Sequence, residues 1–190
     1  MKSLVEIVNP IQQVNIIRHL IREEGDFPNN GHLALLVYRN TFRGEEKNLG
    51  KKVEQLFESN GWSNAWQDGV YDYHHYHSIT HEVLGVIDGS ARLQFGGPTG
   101  ISLLVETGDV IIIPAGVAHK NLGGEENFTC VGAYPDGKDY DINYGRPDER
   151  PKADENLKNV PLPESDPVFG MSGPLIKEWV SQPDEISEVL

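Results

Sequence analysis

Apolar and polar residues alternate with a period of two along much of the chain, which is the pattern of half-buried strands. Val14 to Ile21 and Leu33 to Arg39 read as strands around a turn at Phe27-Pro28-Asn29-Asn30-Gly31. The period then lengthens. Leu49, Val53, Leu56 and Phe57 fall on one stripe, so a helix is predicted from Glu45 to Ser59, stopped by Asn60-Gly61. Short strands follow near Val70 to Tyr76, Glu82 to Ile87, Ala91 to Phe95, Ile101 to Glu106, Asp109 to Ile113, Ala118 to Leu122 and Phe128 to Tyr134. Turns rich in Gly, Pro and Asp separate them. Asp88-Gly89 has the composition of a two-residue hairpin turn, and Val110 to Ile113 is a continuous apolar run broken by Pro114, as expected of a buried strand. No internal repeat is visible, so one all-β unit with extensions is expected, and 190 residues suffice for its core.

After residue 135 the pattern changes. Residues 136–190 hold six basic and thirteen acidic residues and seven of the chain's twelve prolines. Apolar anchors persist at Val168-Phe169-Gly170 and from Pro174-Leu175-Ile176 to Trp179-Val180, so an extended strap that docks on the barrel or on a partner subunit is expected instead of a solvated tail. The whole chain carries a formal charge of −13, which argues against nucleic acid or an anionic membrane as partner. Met1 to Pro10 lacks the pattern of a signal peptide, and no apolar stretch approaches the ~20 residues of a membrane span. A single cysteine, Cys130 in a strand-like run, excludes an internal disulfide and reads as a packed thiol. A cytoplasmic location follows as the expectation.

Candidate chemistry concentrates in two blocks. In the first, five residues separate Gly69 from His75, one separates His75 from His77, four separate His77 from Glu82, and six separate Glu82 from Gly89. In the second, five lie between Gly108 and Pro114, one between Pro114 and Gly116, and two between Gly116 and His119. On a strand, His75 and His77 point the same way about 7 Å apart, within reach of one ion. Glu82, Leu84 and Val86 share a face of the next strand, so the carboxylate returns beside the histidines, and His119 follows after Pro114. Neutral imidazoles with one carboxylate suit Fe, Mn, Ni, Cu, Co or Zn and poorly suit Ca or Mg.

Competing readings are weighed on the same residues. Histidines also serve packing and hydrogen bonding. A zincin-type pair of His77 and His81 lacks its glutamate, because Ser78, Ile79 and Thr80 intervene. His74 and His81 are expected to face away from the ligand side, and nothing marks His19 or His32 as ligands. Tyr71 and Tyr73 share the phase of His75 and His77 and either line the pocket or fill the interior; Asp72 is expected in solvent. Trp62 and Trp66 read as core, with sugar stacking as the less favoured role.

The two spacings resemble the two signature motifs of the cupin superfamily. Further runs, His74-His75-Tyr76-His77-Ser78, His81-Glu82-Val83-Leu84-Gly85, Pro114 to Asn121 and Asp166-Pro167-Val168-Phe169-Gly170, are similar to the small bacterial YjlB-like cupins over most of the chain. The resemblance implies a single cupin jelly-roll (double-stranded β-helix) barrel with a metal held by His75, His77, Glu82 and His119. One position departs: Gly123 stands where the second motif usually has asparagine, the nearest being Asn121, and that position is not a ligand. The chain then divides into an N-terminal arm with strands and a helix packed on the barrel (1–61), the barrel with its metal site (62–135), and an acidic, proline-rich C-terminal strap (136–190). Cupins are commonly dimers, so a homodimer is expected.

The function implied is that of a metal-dependent enzyme acting on a small oxygenated metabolite. Dioxygenation would suit iron, and isomerisation or decarboxylation would suit nickel, manganese or zinc. No acid, base or organic cofactor is assigned. The alternative is a non-catalytic module that binds a small molecule, its metal structural or holding the effector.

Overall fold

The structure, a computed structural model, describes residues 7–43 and 46–180. Nine strands and two α-helices carry it: β1 Asn15–Ile21, β2 Asn30–Arg39, α1 Leu49–Ser59, β3 Trp62–Asp68, β4 Glu82–Asp88, β5 Ser90–Phe95, β6 Ile101–Glu106, β7 Val110–Ile113, β8 His119–Gly124, β9 Thr129–Pro135 and α2 Arg150–Lys158. Among the described residues no helix is long and apolar enough to cross a membrane.

The strands form two antiparallel sheets. The larger has the order β1-β2-β7-β4-β9-β3 and the smaller β6-β5-β8. This is the expected jelly-roll, with one difference. The sheets face each other without closing into a continuous hydrogen-bonded barrel, and Asp88-Gly89 is a corner instead of a hairpin turn: β4 lies in one sheet and β5 in the other. Gly89 takes the left-handed conformation that this corner requires, with φ 67°. β1 and β2, from the N-terminal segment, are themselves strands of the larger sheet.

Both faces of the larger sheet are covered, which explains its uninterrupted apolar strands. Leu84, Val86, Ile111 and Ile113 point into the space between the sheets with Leu93, Phe95 and Cys130. Their alternates Val83, Val110 and Ile112 face outward, against Val53 and Phe57 of α1 and Val168, Leu175 and Trp179 of the C-terminal segment. Every large side chain buried this way is worth about 1.5–3 kcal/mol. α1 buries the stripe the sequence predicts, Leu49, Val53, Leu56 and Phe57, but begins at Leu49; Asn48 stands in the left-handed region before it, and Glu45 lies outside the described residues.

The C-terminal segment is not wholly extended. It contains α2 and ends in a π-helical turn at Ile176–Val180. It docks on its own chain through specific polar contacts. Asp166, fully buried, accepts hydrogen bonds from the Tyr38 hydroxyl (2.7 Å) and from the backbone N–H groups of Val168, Phe169 and Leu175. The indole of Trp179 donates to the carbonyl of Ala34, that of Trp62 to Ser165, and Arg18 pairs with Glu178 at 3.0 Å.

One predicted strand is absent. Val70 to Tyr76 bends at Asp72-Tyr73 and forms no ladder, with isolated bridges from His75 to His119 and from Tyr76 to Asn143. The strand before it, β3, has a register shift between Ser63 and Trp66 around Asn64, whose φ is 57°. That irregularity hides its alternation from a period-two search.

Candidate metal centre

Local structure brings the four candidate side chains to the floor of one cavity between the sheets. His119 opens β8, opposite Phe95 of β5. On its other side His75 donates its backbone N–H to the His119 carbonyl, and His119 returns the bond at 2.9 Å. The Gly116 N–H to the His77 carbonyl (2.8 Å) and the Asn121 N–H to the Tyr71 carbonyl (2.8 Å) continue the contact on either side. The irregular segment is thus strapped along β8, and His75 meets His119 across that bridge. Glu82 opens β4 and faces the inter-sheet space, as its alternation with Leu84 and Val86 predicts.

His75, His77 and His119 each offer a ring nitrogen, and these atoms lie within 4.8 Å of one another. All three rings and Glu82 are buried. Each Nδ1 is engaged by a backbone carbonyl: Tyr73 for His75 (3.1 Å), Asp141 for His77, and Val117 for His119 (3.1 Å). A carbonyl only accepts, so every Nδ1 carries a proton, and in the neutral form of each ring the Nε2 lone pair faces the centre. Glu82 Oε2 lies 3.2 Å from Nε2 of His119 and 3.5 Å from Nε2 of His77, without an aligned hydrogen bond to any group among the described residues. Its partner Oε1 accepts from the Tyr134 hydroxyl (3.0 Å), which accepts in turn from the Trp66 indole (2.8 Å). Trp66 lies flat on Gly132, where a Cβ would come within 2.1 Å of the indole ring, so only glycine permits this relay.

The electrostatics follow from burial and from that proximity. Burial is the largest influence on His77 and disfavours its charged form, but the Glu82 carboxylate and the Asp141 carbonyl together outweigh it and raise the pKa. Burial likewise opposes charge on Glu82, and His77 and His119 overcome it, holding the carboxyl well below the usual range. Burial, then the neighbouring His119, lowers His75 to about 3, which keeps it neutral. Burial and the neighbouring carboxylate thus act on His77 in opposite directions and the carboxylate prevails, while His75 beside it stays neutral.

These residues fit a metal ion. Three imidazoles with their outer nitrogens engaged, and a buried carboxylate oxygen lacking a hydrogen bond, form a donor set suited to a first-row transition metal. The cavity above them measures about 200 Å³, walled by Trp66, Tyr71, Leu84, Tyr134 and Tyr140.

The chain is 42% identical over 158 residues to the YjlB protein of Bacillus subtilis (strain 168), a match covering 83% of this chain and 93% of that protein. The chain belongs to the YjlB family. Its two facing antiparallel sheets have the jelly-roll arrangement. No family model matches the sequence. Among solved structures, acireductone dioxygenase from Bacillus anthracis with a cadmium ion in its active centre is similar over 50% of this chain and 64% of that one, at 14% identity and TM-score 0.38. A conserved protein with a double-stranded β-helix domain from Klebsiella pneumoniae is similar over 75% and 95%, at 18% identity and TM-score 0.32. Likeness at this level says nothing of substrate.

In this member of the YjlB family the remaining histidines stand away from the centre. His74 packs against Phe27, at 5.6 Å between rings, and His81 accepts the Ala115 N–H and packs on Trp179 at 4.9 Å. Burial keeps His81 neutral, its pKa lowered to about 4. Tyr71 and Tyr73 do not fill the interior. They stack on each other at 4.9 Å near the cavity mouth, and Asp72 between them is exposed, as expected. Trp62 is core, whereas Trp66 belongs to the cavity wall and to the Glu82 relay.

Several site residues escape sequence reasoning. Tyr140 stacks on Tyr134 (4.9 Å) and meets the His77 ring edge-on (5.1 Å). The Asp141 carboxylate holds the Ser78 backbone N–H and hydroxyl and the Asn143 amide, and Asn156 of α2 donates to the same hydroxyl. Both come from the segment read as a strap, and no local pattern marks them.

Proposed function

We propose that this protein is a metal-dependent enzyme acting on a small oxygenated metabolite, with His75, His77, His119 and Glu82 as the ligands of one divalent transition metal. The observation that carries the reading is Glu82 Oε2: a buried carboxylate oxygen without an aligned hydrogen bond, aimed at the imidazole nitrogens. A structure built only for stability would give it a donor, since such a group costs about 1–3 kcal/mol or more when left unmade. The bound ion would supply Lewis-acid chemistry or, if redox-active, oxidation. The chain's own residues do the rest. Tyr134 and Trp66 hold Glu82 in one orientation, the three carbonyls fix the imidazole tautomers, and the aromatic walls exclude water from the floor. Elemental analysis of protein purified without chelator tests the reading. One equivalent of a first-row metal supports it, while a metal-free protein that takes up none on addition rejects it.

Tyr134→Phe removes the hydroxyl that orients Glu82 and preserves the ring. Metal affinity is expected to fall roughly tenfold or more, as for other partners that orient ligands. Competition against a chromogenic chelator measures it, and equal affinity would dismiss the relay.

The raised pKa of His77 sets the pH dependence. Only neutral imidazole coordinates, so metal uptake expels the His77 proton wherever the metal-free centre holds it. In the metal-free protein the charged His77 contributes stability that is complete below its unfolded pKa of ~6.5 and fades as pH rises through the higher folded value. Metal works in the opposite direction. The gap in melting temperature between metal-loaded and metal-free protein is expected to widen as pH rises through the imidazole range, at fixed metal concentration. A gap that narrows would contradict the assignment.

A further inference from the structure

Two stacked tyrosine pairs stand at the cavity, Tyr71 on Tyr73 at 4.9 Å and 16° and Tyr134 on Tyr140 at 4.9 Å and 24°. Tyr71 and Tyr140 line the cavity yet remain 48% and 40% exposed, and Tyr73 and Tyr144 beside them are exposed as well. Four large aromatic side chains gathered in solvent around one opening are a surface kept for contact. Tyr71 meets the His75 ring edge-on at 5.2 Å, and Tyr140 meets His77 at 5.1 Å, so the aromatic walls begin where the candidate ligands end.

The charges in the cavity narrow what it accepts. Its lining includes two carboxylates, Asp68 and Glu82, and neither lysine nor arginine. A divalent ion would balance those carboxylates and leave no cation for a phosphate or for a second carboxylate. The volume is also informative. An apolar cavity of about 150 Å³ takes a benzene ring, and this one, at about 200 Å³, has room for one substituted ring.

We infer that the cavity mouth selects a flat aromatic substrate of low charge carrying two adjacent oxygens, and discriminates against small multiply charged acids. This rests on the metal-centre reading above: an ion held by His75, His77, Glu82 and His119 would take its remaining donors from the substrate, and two adjacent oxygens would supply them. Offset stacking on Tyr71 and Tyr140 then orients the ring and keeps the oxygens at the floor.

The test is calorimetric titration of metal-loaded protein with catechol and with oxalate, metal content being measured before and after. Catechol is expected to bind more tightly than oxalate. Tyr140→Ala and Tyr71→Ala should each weaken catechol roughly threefold to tenfold, the range of an aromatic pair, and leave oxalate unchanged. Tyr140→Phe, which keeps the ring, should bind catechol like the parent. Oxalate binding as tightly as catechol, or alanine variants with unaltered catechol affinity, would overturn the aromatic selectivity while the metal centre stood. Failure to load any metal would instead reject the metal centre, and this inference with it.

Discussion

His77→Ala is expected to abolish stoichiometric metal binding and to lower the melting temperature by more than the loss of metal alone explains. Two effects add. An ion present at ~100 times its dissociation constant stabilises the folded state by about 2.7 kcal/mol, and that contribution disappears with the ligand. The second operates even without metal. His77 lies 3.5 Å from the buried Glu82 carboxylate, and removing one member of a buried pair strands the other at a cost of about 3 kcal/mol. His119 remains 3.2 Å away, which holds the loss to the lower end of the usual range. Together these predict a fall of roughly 10–20 °C relative to metal-loaded parent, for a chain of this size. His77→Ala combined with Glu82→Gln separates the two effects: removing the stranded charge should recover much of the metal-free stability and none of the metal. Elemental analysis and thermal unfolding of the three proteins give the answer. An unchanged metal content in His77→Ala would remove this residue from the centre.

Asp166→Ala is expected to cost about 4 kcal/mol and to loosen the C-terminal segment. One carboxylate terminates four donors, the Tyr38 hydroxyl and the N–H groups of Val168, Phe169 and Leu175, at 2.7 to 3.0 Å. Alanine leaves all four without an acceptor in a buried place, and each such group costs about 1–3 kcal/mol before the segment relaxes toward water. Relaxation is the alternative outcome at the molecular level. The segment then lifts from Tyr38, exposing Leu175 and Trp179, and protease cuts there at lower concentration than in the parent. Tyr38→Phe removes a single donor and should cost only about 1 kcal/mol. Metal content should persist in both variants, because Asp141, whose carbonyl supports His77, is held separately by Ser78 and Asn143. Equal melting temperatures and equal digestion of Asp166→Ala and parent would show that this carboxylate does not anchor the segment.

Much of the fold was legible in local pattern. Eight of the nine strands lie where alternation or a continuous apolar run predicts them, and α1 buries the predicted stripe. Glu82 faces inward with Leu84 because a strand's period of two dictates it. The missing information concerns irregular backbone. Around Asn64 and at Asp72-Tyr73 the chain departs from ideal extension, so the alternation that would reveal β3 is interrupted and the alternation read from Tyr71 to His77 corresponds to no strand.

The sequence by itself determined which residues have side chains able to hold a metal and which faces of the strands are apolar, because residue type and local period are properties of neighbouring positions. Only the tertiary structure decided their partners. His75 meets His119 through a bridge between segments more than forty positions apart, Tyr134 reaches back to Trp66 and Glu82, and Asp141 crosses 64 positions to the ring of His77. Those pairings depend on where each sheet breaks, on glycines such as Gly89 and Gly132 that allow a corner or a flat indole, and on how the C-terminal segment folds back over the sheet. Such contacts form when distant surfaces bury each other, and a local hydrophobic period contains no record of the surface across the cavity.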